Sequence, residues 1–188
     1  MSADQFFEAL AKLNPQLPDK LRGFPPALFG GNGLELVLAR WWFVPGGWKA
    51  PFRAFVKKAA TFNARVETAH ELPTFANAFV HRRCLIPTQG WFEYTGEGKK
   101  KDRWLIAPAS GDALTLAGPW SRFNDPEVGP TYTFTMVMQP AFEQVKHIHH
   151  RAPIPLHAEQ CENWLHGTTA IDAVLTASHR VPLNVAEG

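Results

Sequence analysis

Cysteine is scarce in this sequence. Only Cys84 and Cys161 occur among 188 residues, too few for a disulfide framework and too isolated for the paired spacing of structural zinc sites. We interpret both as small buried side chains. Long apolar runs are also lacking: nothing approaches the roughly 18–20 residues that span a membrane, and no basic-then-apolar leader is present. We expect a cytoplasmic protein with no membrane partner.

The motifs of several common enzyme classes are missing as well. There is no G-x-S-x-G nucleophile motif, no P-loop and no dinucleotide glycine fingerprint. The usual hydrolase and nucleotide-binding mechanisms therefore have no support, and we expect no cofactor. Apolar residues make up 45% of the chain, which is enough to fill one core. We predict a single domain over residues 1–188.

The charges are nearly balanced, at +2, but unevenly distributed. No acidic residue lies between Glu35 and Glu67, and this basic-aromatic stretch contains Arg40, Trp41, Trp42, Phe43, Trp48, Lys49, Phe52, Arg53, Phe55, Lys57, Lys58, Phe62 and Arg65. Basic side chains neutralise phosphates and aromatic rings stack on unpaired bases, so the pattern is typical of a single-strand-binding groove. The alternative is a core strand followed by a solvated basic loop, because aromatic residues at strand spacing are usually core.

The hydrophobic pattern predicts many short strands with helices near both ends. Ser2 and Gln5 have capping-box spacing, so a helix is predicted over Ser2–Leu13, followed by a Pro/Gly-rich loop over Pro15–Gly33. Strands are predicted at Leu34–Phe43, Arg83–Pro87, Trp91–Tyr94, Arg103–Ala107, Leu114–Gly118 and Thr131–Met138, and a helix that Gly167 ends at Ala158–Leu165. This mixture favours an α+β fold.

Three polar residues stand out because each lies in apolar sequence: Asn63, Glu93 and His149. Glu93 is flanked by aromatic residues on both sides, so an inward-facing side chain would be partly desolvated. Desolvation raises a carboxyl pKa toward the range useful for proton transfer. The alternative is an ordinary strand glutamate that faces solvent.

The histidines offer a second kind of site. His147 and His149 would share one face of a strand, with His150 beside them, as metal ligands can. A His-x-His pair without a third ligand motif is weak evidence for metal. We therefore predict no metal site, and a metal-dependent hydrolase built on these histidines stays an alternative.

Four motifs in order make the chain recognisable: N-A-R-V-E-T at residues 63–68, R-R-C-L-I-P with G-W-F-E-Y between residues 82 and 94, A-G-P-W at 117–120, and I-H-H-R-A-P at 148–153. Their order, spacing and residue types over most of Leu34–Leu165 resemble the SOS-response-associated peptidase (SRAP) family. Four motifs in register are far more specific than any one of them.

The resemblance implies an α+β domain in which short mixed and antiparallel strands form a barrel-like core with peripheral helices. It also implies a positively charged cleft for single-stranded DNA, in which members attach covalently to the aldehyde of an abasic site. The attacking group is Cys at position two, whose amine and thiol form a thiazolidine. The partners that follow are single-stranded DNA and abasic-site DNA, bound by a monomer in the DNA damage response.

The family's functional positions have counterparts here. The resemblance implies catalytic roles for Asn63, Glu93 and His149, of which the last two are acid/base groups. It implies phosphate contacts for Arg65 and Arg151. Trp48 is a looser match to the family's base-stacking aromatic residues.

The resemblance also shows where this sequence departs from the family. The chain opens Met1–Ser2–Ala3–Asp4 where the family opens Met-Cys-Gly-Arg, Trp42 takes the place of a usual glycine, and Met138 and Gln139 stand near small hydroxyl residues that help line the cleft. A hydroxyl lacks the nucleophilicity of a thiol. We therefore expect no thiazolidine and at most a slow, reversible imine with abasic DNA. The alternatives are a non-catalytic single-strand-binding relative and a reading frame that begins upstream of Met1.

Overall fold

The computed structural model describes residues 26–29, 35–96, 101–111, 113–167 and 170–188. Within these ranges the helices are α1 (Phe52–Lys58), α2 (Ala76–His81), α3 (Ala158–His166) and α4 (Ile171–Ser178). The strands are β1 (Pro26–Phe29), β2 (Glu35–Leu38), β3 (Arg40–Trp41), β4 (Asn63–Arg65), β5 (Arg83–Thr88), β6 (Trp91–Thr95), β7 (Asp102–Pro108), β8 (Leu114–Asp125), β9 (Gly129–Phe134), β10 (Met136–Pro140), β11 (Arg151–Pro153), β12 (Pro155–Leu156) and β13 (Leu183–Glu187). None of the described helices is long and apolar enough to cross a membrane.

The largest sheet has the strand order β2-β1-β5-β8-β9-β3, with β12 also paired to β8. Its centre is β8, a strand of 12 residues. The first half of β8 pairs antiparallel with β5 and the second half with β9. Gly118 lies at a crowded point of β8, because a Cβ there would meet the carbonyl oxygen of Thr135 at 2.4 Å. Only glycine allows this close approach of the backbones.

The main apolar core lies between this sheet and the helices. Its buried members include Phe43, Phe79, Leu85, Val137, Ile154, Trp164 and Val174. Trp164 of α3 is fully buried, and its indole Nε1 donates to the backbone oxygen of Cys84 at 3.0 Å. This hydrogen bond satisfies the one polar atom of the ring and so fixes α3 against β5.

Two three-stranded sheets complete the fold, with the orders β11-β10-β4 and β13-β7-β6. In the second of these sheets, exposure alternates along β6. Trp91, Glu93 and Thr95 face inward, whereas Phe92 and Tyr94 face solvent. The alternation follows from the period of two of a β-strand, and it decides which side chains of the G-W-F-E-Y motif enter the candidate site.

The α+β class predicted from the sequence is confirmed. The strands predicted at Arg83–Pro87, Trp91–Tyr94 and Arg103–Ala107 match β5, β6 and β7 to within one residue at each end. Gly167 ends α3 with a φ of 64°, as predicted. The strand order does not close among the described strands, so the barrel-like core takes the form of packed open sheets.

Two predicted strands are each broken in the structure. Leu34–Phe43 contains β2 and β3, separated at Ala39, and Thr131–Met138 contains β9 and β10, separated at Thr135. The physical reason is a change of partner: β9 pairs with β8 in the large sheet, whereas β10 pairs with β4 and β11. Hydrophobic alternation continues across such a change and does not reveal it.

Other expectations fall differently. The loop predicted over Pro15–Gly33 contains β1, which pairs with both β2 and β5. The predicted strand Leu114–Gly118 is the first part of the longer β8. The helix predicted over Ser2–Leu13 lies outside the described residues.

Candidate functional site

Glu93 sits in the middle of β6 with its side chain turned inward and only 17% exposed. Burial raises the pKa of this carboxyl above its ordinary value, and the nearby His149 opposes the rise. The inward orientation favours the desolvated alternative over the solvent-facing one. A carboxyl with a raised pKa keeps a larger protonated fraction near neutrality, which suits a proton donor.

Trp91 shares the inward face of β6 with Glu93. Its indole Nε1 is buried without a well-formed hydrogen bond, but it lies close enough to the carboxyl to lower the pKa of Glu93 in part. We interpret this as an incomplete hydrogen bond. The ring therefore offers a buried donor beside the carboxyl, a role that the sequence analysis did not assign to it.

His149 follows a turn that ends at Ile148 and precedes β11. Its Nδ1 lies 3.8 Å from Oε2 of Glu93, although 56 residues separate the two in the sequence. The same Nδ1 lies 2.9 Å from the backbone oxygen of Arg151 and 3.3 Å from its backbone nitrogen. The carbonyl contact calls for a proton on Nδ1, whereas the backbone N–H can donate only to an unprotonated Nδ1. In the neutral tautomer that the shorter contact favours, Nε2 is a proton acceptor.

Arg151 is held on several sides. Its guanidinium forms two parallel hydrogen bonds with the carboxylate of Glu67, and Nη2 also donates to the backbone oxygen of Met138 at 2.8 Å. The side chain is only 16% exposed. The phosphate contact predicted for Arg151 would compete with Glu67, a partner that the sequence analysis did not find.

Asn63 begins β4, which pairs in parallel with β10 so that Asn63 lies opposite Met136. Its Oδ1 is buried and accepts no hydrogen bond in the structure. No described contact joins Asn63 to Glu93 or His149. The structure thus brings Glu93 and His149 into contact, and Asn63 contributes a buried acceptor without a hydrogen bond.

The two other predicted DNA contacts differ from each other. Arg65 at the end of β4 is exposed, and no described residue forms an ion pair with its guanidinium. Trp48 is half-buried. Its ring packs edge-on against Phe55, with the ring centroids 5.0 Å apart, and Nζ of Lys58 lies over the ring, 5.3 Å from its centroid. Arg65 is therefore available to a phosphate, whereas Trp48 partly serves a local core.

The basic-aromatic stretch divides between packing and exposure. Phe55 is buried with Val44 and Phe123 in a small cluster beneath α1, as the core alternative expects. Trp41, by contrast, is 45% exposed. Its ring packs edge-on against Phe62 at 6.1 Å, directly before Asn63 in the sequence.

Trp42 has an unusual backbone conformation. Its φ is 130°, and it is the only non-glycine residue with a positive φ in the described part of the chain. The ring is fastened by a hydrogen bond from Nε1 to the backbone oxygen of Ala59 at 2.7 Å and packs against Phe62 at 4.9 Å. A conformation of this kind persists only where surrounding contacts offset its strain.

Neither cysteine provides a reactive thiolate. Cys84 is fully buried, and burial raises its pKa well above the ordinary value. Burial also raises the pKa of Cys161 to about 11, and its Sγ donates to the backbone oxygen of His157. A thiol rather than a thiolate is a poor nucleophile. The interpretation as a small buried side chain is confirmed for Cys84, whereas Cys161 is only partly buried.

The histidines do not form a metal-binding group with other residues. His147 lies within a turn rather than on a strand, so the strand face that was predicted for residues 147 and 149 does not exist. The rings of His149 and His150 lie 4.4 Å apart. In the residues that the structure describes, no three His, Cys, Asp or Glu side chains come together as metal ligands, and the metal-dependent hydrolase has no ligand set there.

Gln139, near positions where the family carries small hydroxyl residues, points into the core. It is fully buried, and its amide donates to Ser178 Oγ at 3.0 Å. His179 Nε2 lies 3.2 Å from its Oε1. The side chain of Gln139 therefore links β10 to α4 through hydrogen bonds and does not line an open surface.

An α+β fold with a buried carboxyl facing an imidazole defines a protein with a candidate acid/base site. A family model described as SOS response associated peptidase (SRAP) matches residues 25–185. The chain belongs to this family.

Curated relatives share about a third of the matched residues. The abasic site processing protein YoqW of Bacillus subtilis is 32% identical over 136 residues, which cover 72% of this chain and 59% of the relative. The corresponding protein YedK of Escherichia coli is 31% identical over 70% of this chain and 55% of its own. The abasic site processing protein HMCES of Gallus gallus is 28% identical over 153 residues, which cover 69% of this chain and 45% of the relative. The chain thus spans 45–59% of the length of these relatives.

Solved structures share the fold. A protein from Bacteroides thetaiotaomicron superposes with a TM-score of 0.76 at 21% identity, over 99% of this chain and 88% of that one. A protein from Bordetella bronchiseptica superposes with a TM-score of 0.72 at 24% identity, over 88% of this chain and 83% of that one.

Proposed function

We propose that this protein binds single-stranded DNA and processes abasic sites. Its relatives YoqW and YedK are abasic site processing proteins. The observation that carries the proposal is the approach of Glu93 Oε2 to His149 Nδ1 at 3.8 Å. One group has a pKa raised by burial, and the other is an imidazole whose Nε2 accepts a proton in the neutral tautomer that carries hydrogen on Nδ1. Together they form an acid and a base within reach of one substrate.

An abasic site exposes an aldehyde, and its processing requires two proton transfers that we assign to side chains. The attacking group that we propose is the α-amine of the amino-terminal residue, as the resemblance to the family implies. Its nitrogen adds to the aldehyde carbon and passes one proton to the carbonyl oxygen. The resulting hydroxyl takes a proton from Glu93 and leaves as water, which gives a protonated imine. Elimination then requires a base to remove a proton from the carbon next to the imine, so that the adjacent C–O bond to phosphate breaks. His149 Nε2 is the base that we assign to this step.

We assign the DNA contacts to basic and aromatic side chains that are exposed to solvent. Arg65 is exposed and forms no ion pair with a described residue, so we assign it a phosphate. Trp41 and Phe62 present aromatic surface beside Asn63. Trp48 and Arg151 remain candidates, each after release from its present partner. Because neutralised phosphates release counterions, affinity should fall with salt with a log–log slope of about −0.7 per phosphate.

The decisive experiment uses a single strand with one central abasic site. Borohydride traps an imine, and a denaturing gel separates adduct, cleaved strand and free DNA. Glu93→Gln and His149→Gln are each expected to lower the rate about 100-fold. Glu143→Gln and His147→Gln serve as matched controls, because both side chains are exposed. Wild-type rates in the two test variants would remove the proposed chemistry.

A second candidate is a binding module without catalysis. The raised pKa of both thiols favours it, since a thiol is a weaker nucleophile toward an aldehyde than a thiolate. It predicts the same salt-dependent binding to single strands but no trapped adduct. Tight binding of intact and abasic strands alike, without any borohydride product, would favour this candidate.

A further inference from the structure

The sheet of β6, β7 and β13 has one face packed against the core and one face that no other described element covers. Its inner side contributes Ile106 to a core cluster with Phe142 and Val145. We define the outer face by the side chains that alternate away from that core: Phe92, Tyr94, Arg103, Leu105, Ala107, Asn184 and Ala186.

Two large aromatic rings dominate the outer face. Phe92 is 49% exposed and Tyr94 is 53% exposed. Phe92 pairs with Leu105, and Tyr94 pairs with Arg103 on the neighbouring strand. The guanidinium of Arg103 lies over the ring of Phe92, 4.8 Å from its centroid. The rings thus present π-surface to solvent beside a fixed positive charge.

The ionised side chains of this surface have one sign. Arg103 is the only ionisable side chain other than the phenol of Tyr94 among the residues that define the outer face, and the exposed Lys101 directly precedes β7. Asp102 and Glu187 belong to the same sheet, but they pair with Thr95 and Trp104 and so alternate to the other side. Gly188 lies at the margin of the face, beside Arg103 and Phe92. An aromatic surface whose charged side chains are cations complements a polyanion with unpaired bases.

We propose that the outer face is a second stacking platform for single-stranded DNA, separate from the site at Glu93. The inference rests on the proposed function. It adds a binding site for the single-stranded DNA that flanks the abasic site. Rings on alternate residues of one strand stand about 6.6 Å apart, so each can take a different base. Stacking tolerates any sequence, because every base has a π-face.

The position of β6 connects the two sites. In the order β13-β7-β6 this strand is at the edge of its sheet. Glu93 projects from one side of β6, and Phe92 and Tyr94 project from the other. A single strand that leaves the candidate site around this edge reaches the outer face within a few nucleotides, which a rigid duplex cannot do.

A second copy of the chain fits the outer face less well. A stable dimer buries about 800 Å² on each partner. Complete burial of both rings would supply at most about 300–500 Å². The surrounding apolar residues, Leu105, Ala107 and Ala186, are small or half-buried, so the apolar surface is too small for a stable dimer and large enough for two bases.

The test measures the affinity of the protein for a labelled single strand without an abasic site. Phe92→Ala combined with Tyr94→Ala is expected to weaken binding by at least about fivefold for each ring removed. Val128→Ala is the matched control, because Val128 is equally exposed, at 59%, but lies in the turn between β8 and β9. Arg103→Gln is expected to flatten the log–log salt slope by about 0.7.

Borohydride trapping in parallel separates the possible failures. If the double variant binds as tightly as wild type while both trap abasic DNA, the outer face is not a DNA site and the proposed function stands. If wild type itself neither binds nor traps DNA, both proposals fail. Sedimentation velocity adds a third outcome: a concentration-dependent dimer that the double variant abolishes would assign the surface to self-association and overturn the inference.

Discussion

Glu67 and Arg151 are joined by two parallel hydrogen bonds, Nη1 to Oε1 at 2.6 Å and Nη2 to Oε2 at 2.7 Å, although 84 residues separate them in the sequence. The pair connects the segment after β4 to β11, and the backbone of Arg151 in turn contacts the ring of His149. The carboxylate therefore acts at a distance on the orientation of the candidate base. It is a positioning residue, since no described contact joins it to Glu93.

Glu67→Gln tests this connection through stability. In the wild-type protein, the hydrogen bonds from Arg151 lower the pKa of Glu67. A lowered native pKa contributes stability above the ordinary value of 4.5 and loses it as pH falls through the native pKa. Since Glu67 is 45% exposed, we expect a loss of about 1 kcal/mol at pH 7 and a shallower decline in acid. Urea unfolding at pH 7 and at about pH 3 measures both, and equal losses at the two values would contradict the prediction.

The same variant distinguishes two roles of Arg151 in DNA binding. If a phosphate replaces Glu67 on the guanidinium, Glu67→Gln removes a competing anion and raises the affinity for single strands about tenfold, with a steeper salt slope. If Arg151 only positions His149, affinity is unchanged and the pH profile of the abasic reaction shifts. Fluorescence anisotropy across a salt series decides between these results.

Glu93→Gln should separate stability from activity. The pKa of Glu93 is raised by burial, so its contribution to stability is fully present below the ordinary carboxyl pKa and is lost as pH rises through the native pKa. Replacing the carboxyl by an amide removes the cost of ionisation, and we expect a gain of about 0.5–1 kcal/mol near pH 7 with lost turnover. Thermal unfolding at pH 4 and pH 8 tests it, because the gain must be larger at pH 8.

Trp42 allows the strain of one residue to be measured. At a φ of 130° a side chain with a Cβ is unfavourable. Trp42→Gly and Trp42→Ala both lose the ring and its hydrogen bond to Ala59, so the difference between them reports the backbone alone. We expect the glycine variant to be more stable than the alanine variant by about 1 kcal/mol. A more stable alanine variant in urea unfolding would show that the backbone relaxes.

Gln139 and Ser178 form a buried pair that a double-mutant cycle can test. Gln139→Leu leaves the Ser178 hydroxyl without its buried side-chain partner, and we expect a cost of about 2 kcal/mol. Ser178→Ala should cost about 1 kcal/mol. Because the two side chains share hydrogen bonds, the double variant should lose less than the sum. Additive losses would mean that the pair does not fasten α4 to β10.

The sequence predicted local features better than partners. The strands β5, β6 and β7 follow from alternation bounded by glycine and lysine, and the inward turn of Glu93 follows from the same period of two. The breaks at Ala39 and Thr135 could not be predicted, because the chain changes its pairing partner there without any change in composition. The short helix α1 was missed, because its aromatic residues suggested a strand or a loop.

The candidate site divides in the same way. The motifs singled out Glu93 and His149, and these two residues meet in space. The partner of Arg151 was missed, since an ion pair between residues 84 apart leaves no local pattern. Trp91 was read only as a hydrophobic neighbour of Glu93, because the direction of an indole N–H depends on packing.

The length of β8 has a consequence for how the molecule opens. Its two halves belong to the β5 side and the β9 side of one sheet, and Gly118 holds it close to Thr135 between β9 and β10. A fluctuation that frees the amides at the middle of β8 must release both neighbouring strands together. These amides are therefore expected to be the slowest in the described chain to exchange with deuterium, whereas those of the edge strand β6 exchange through local fraying.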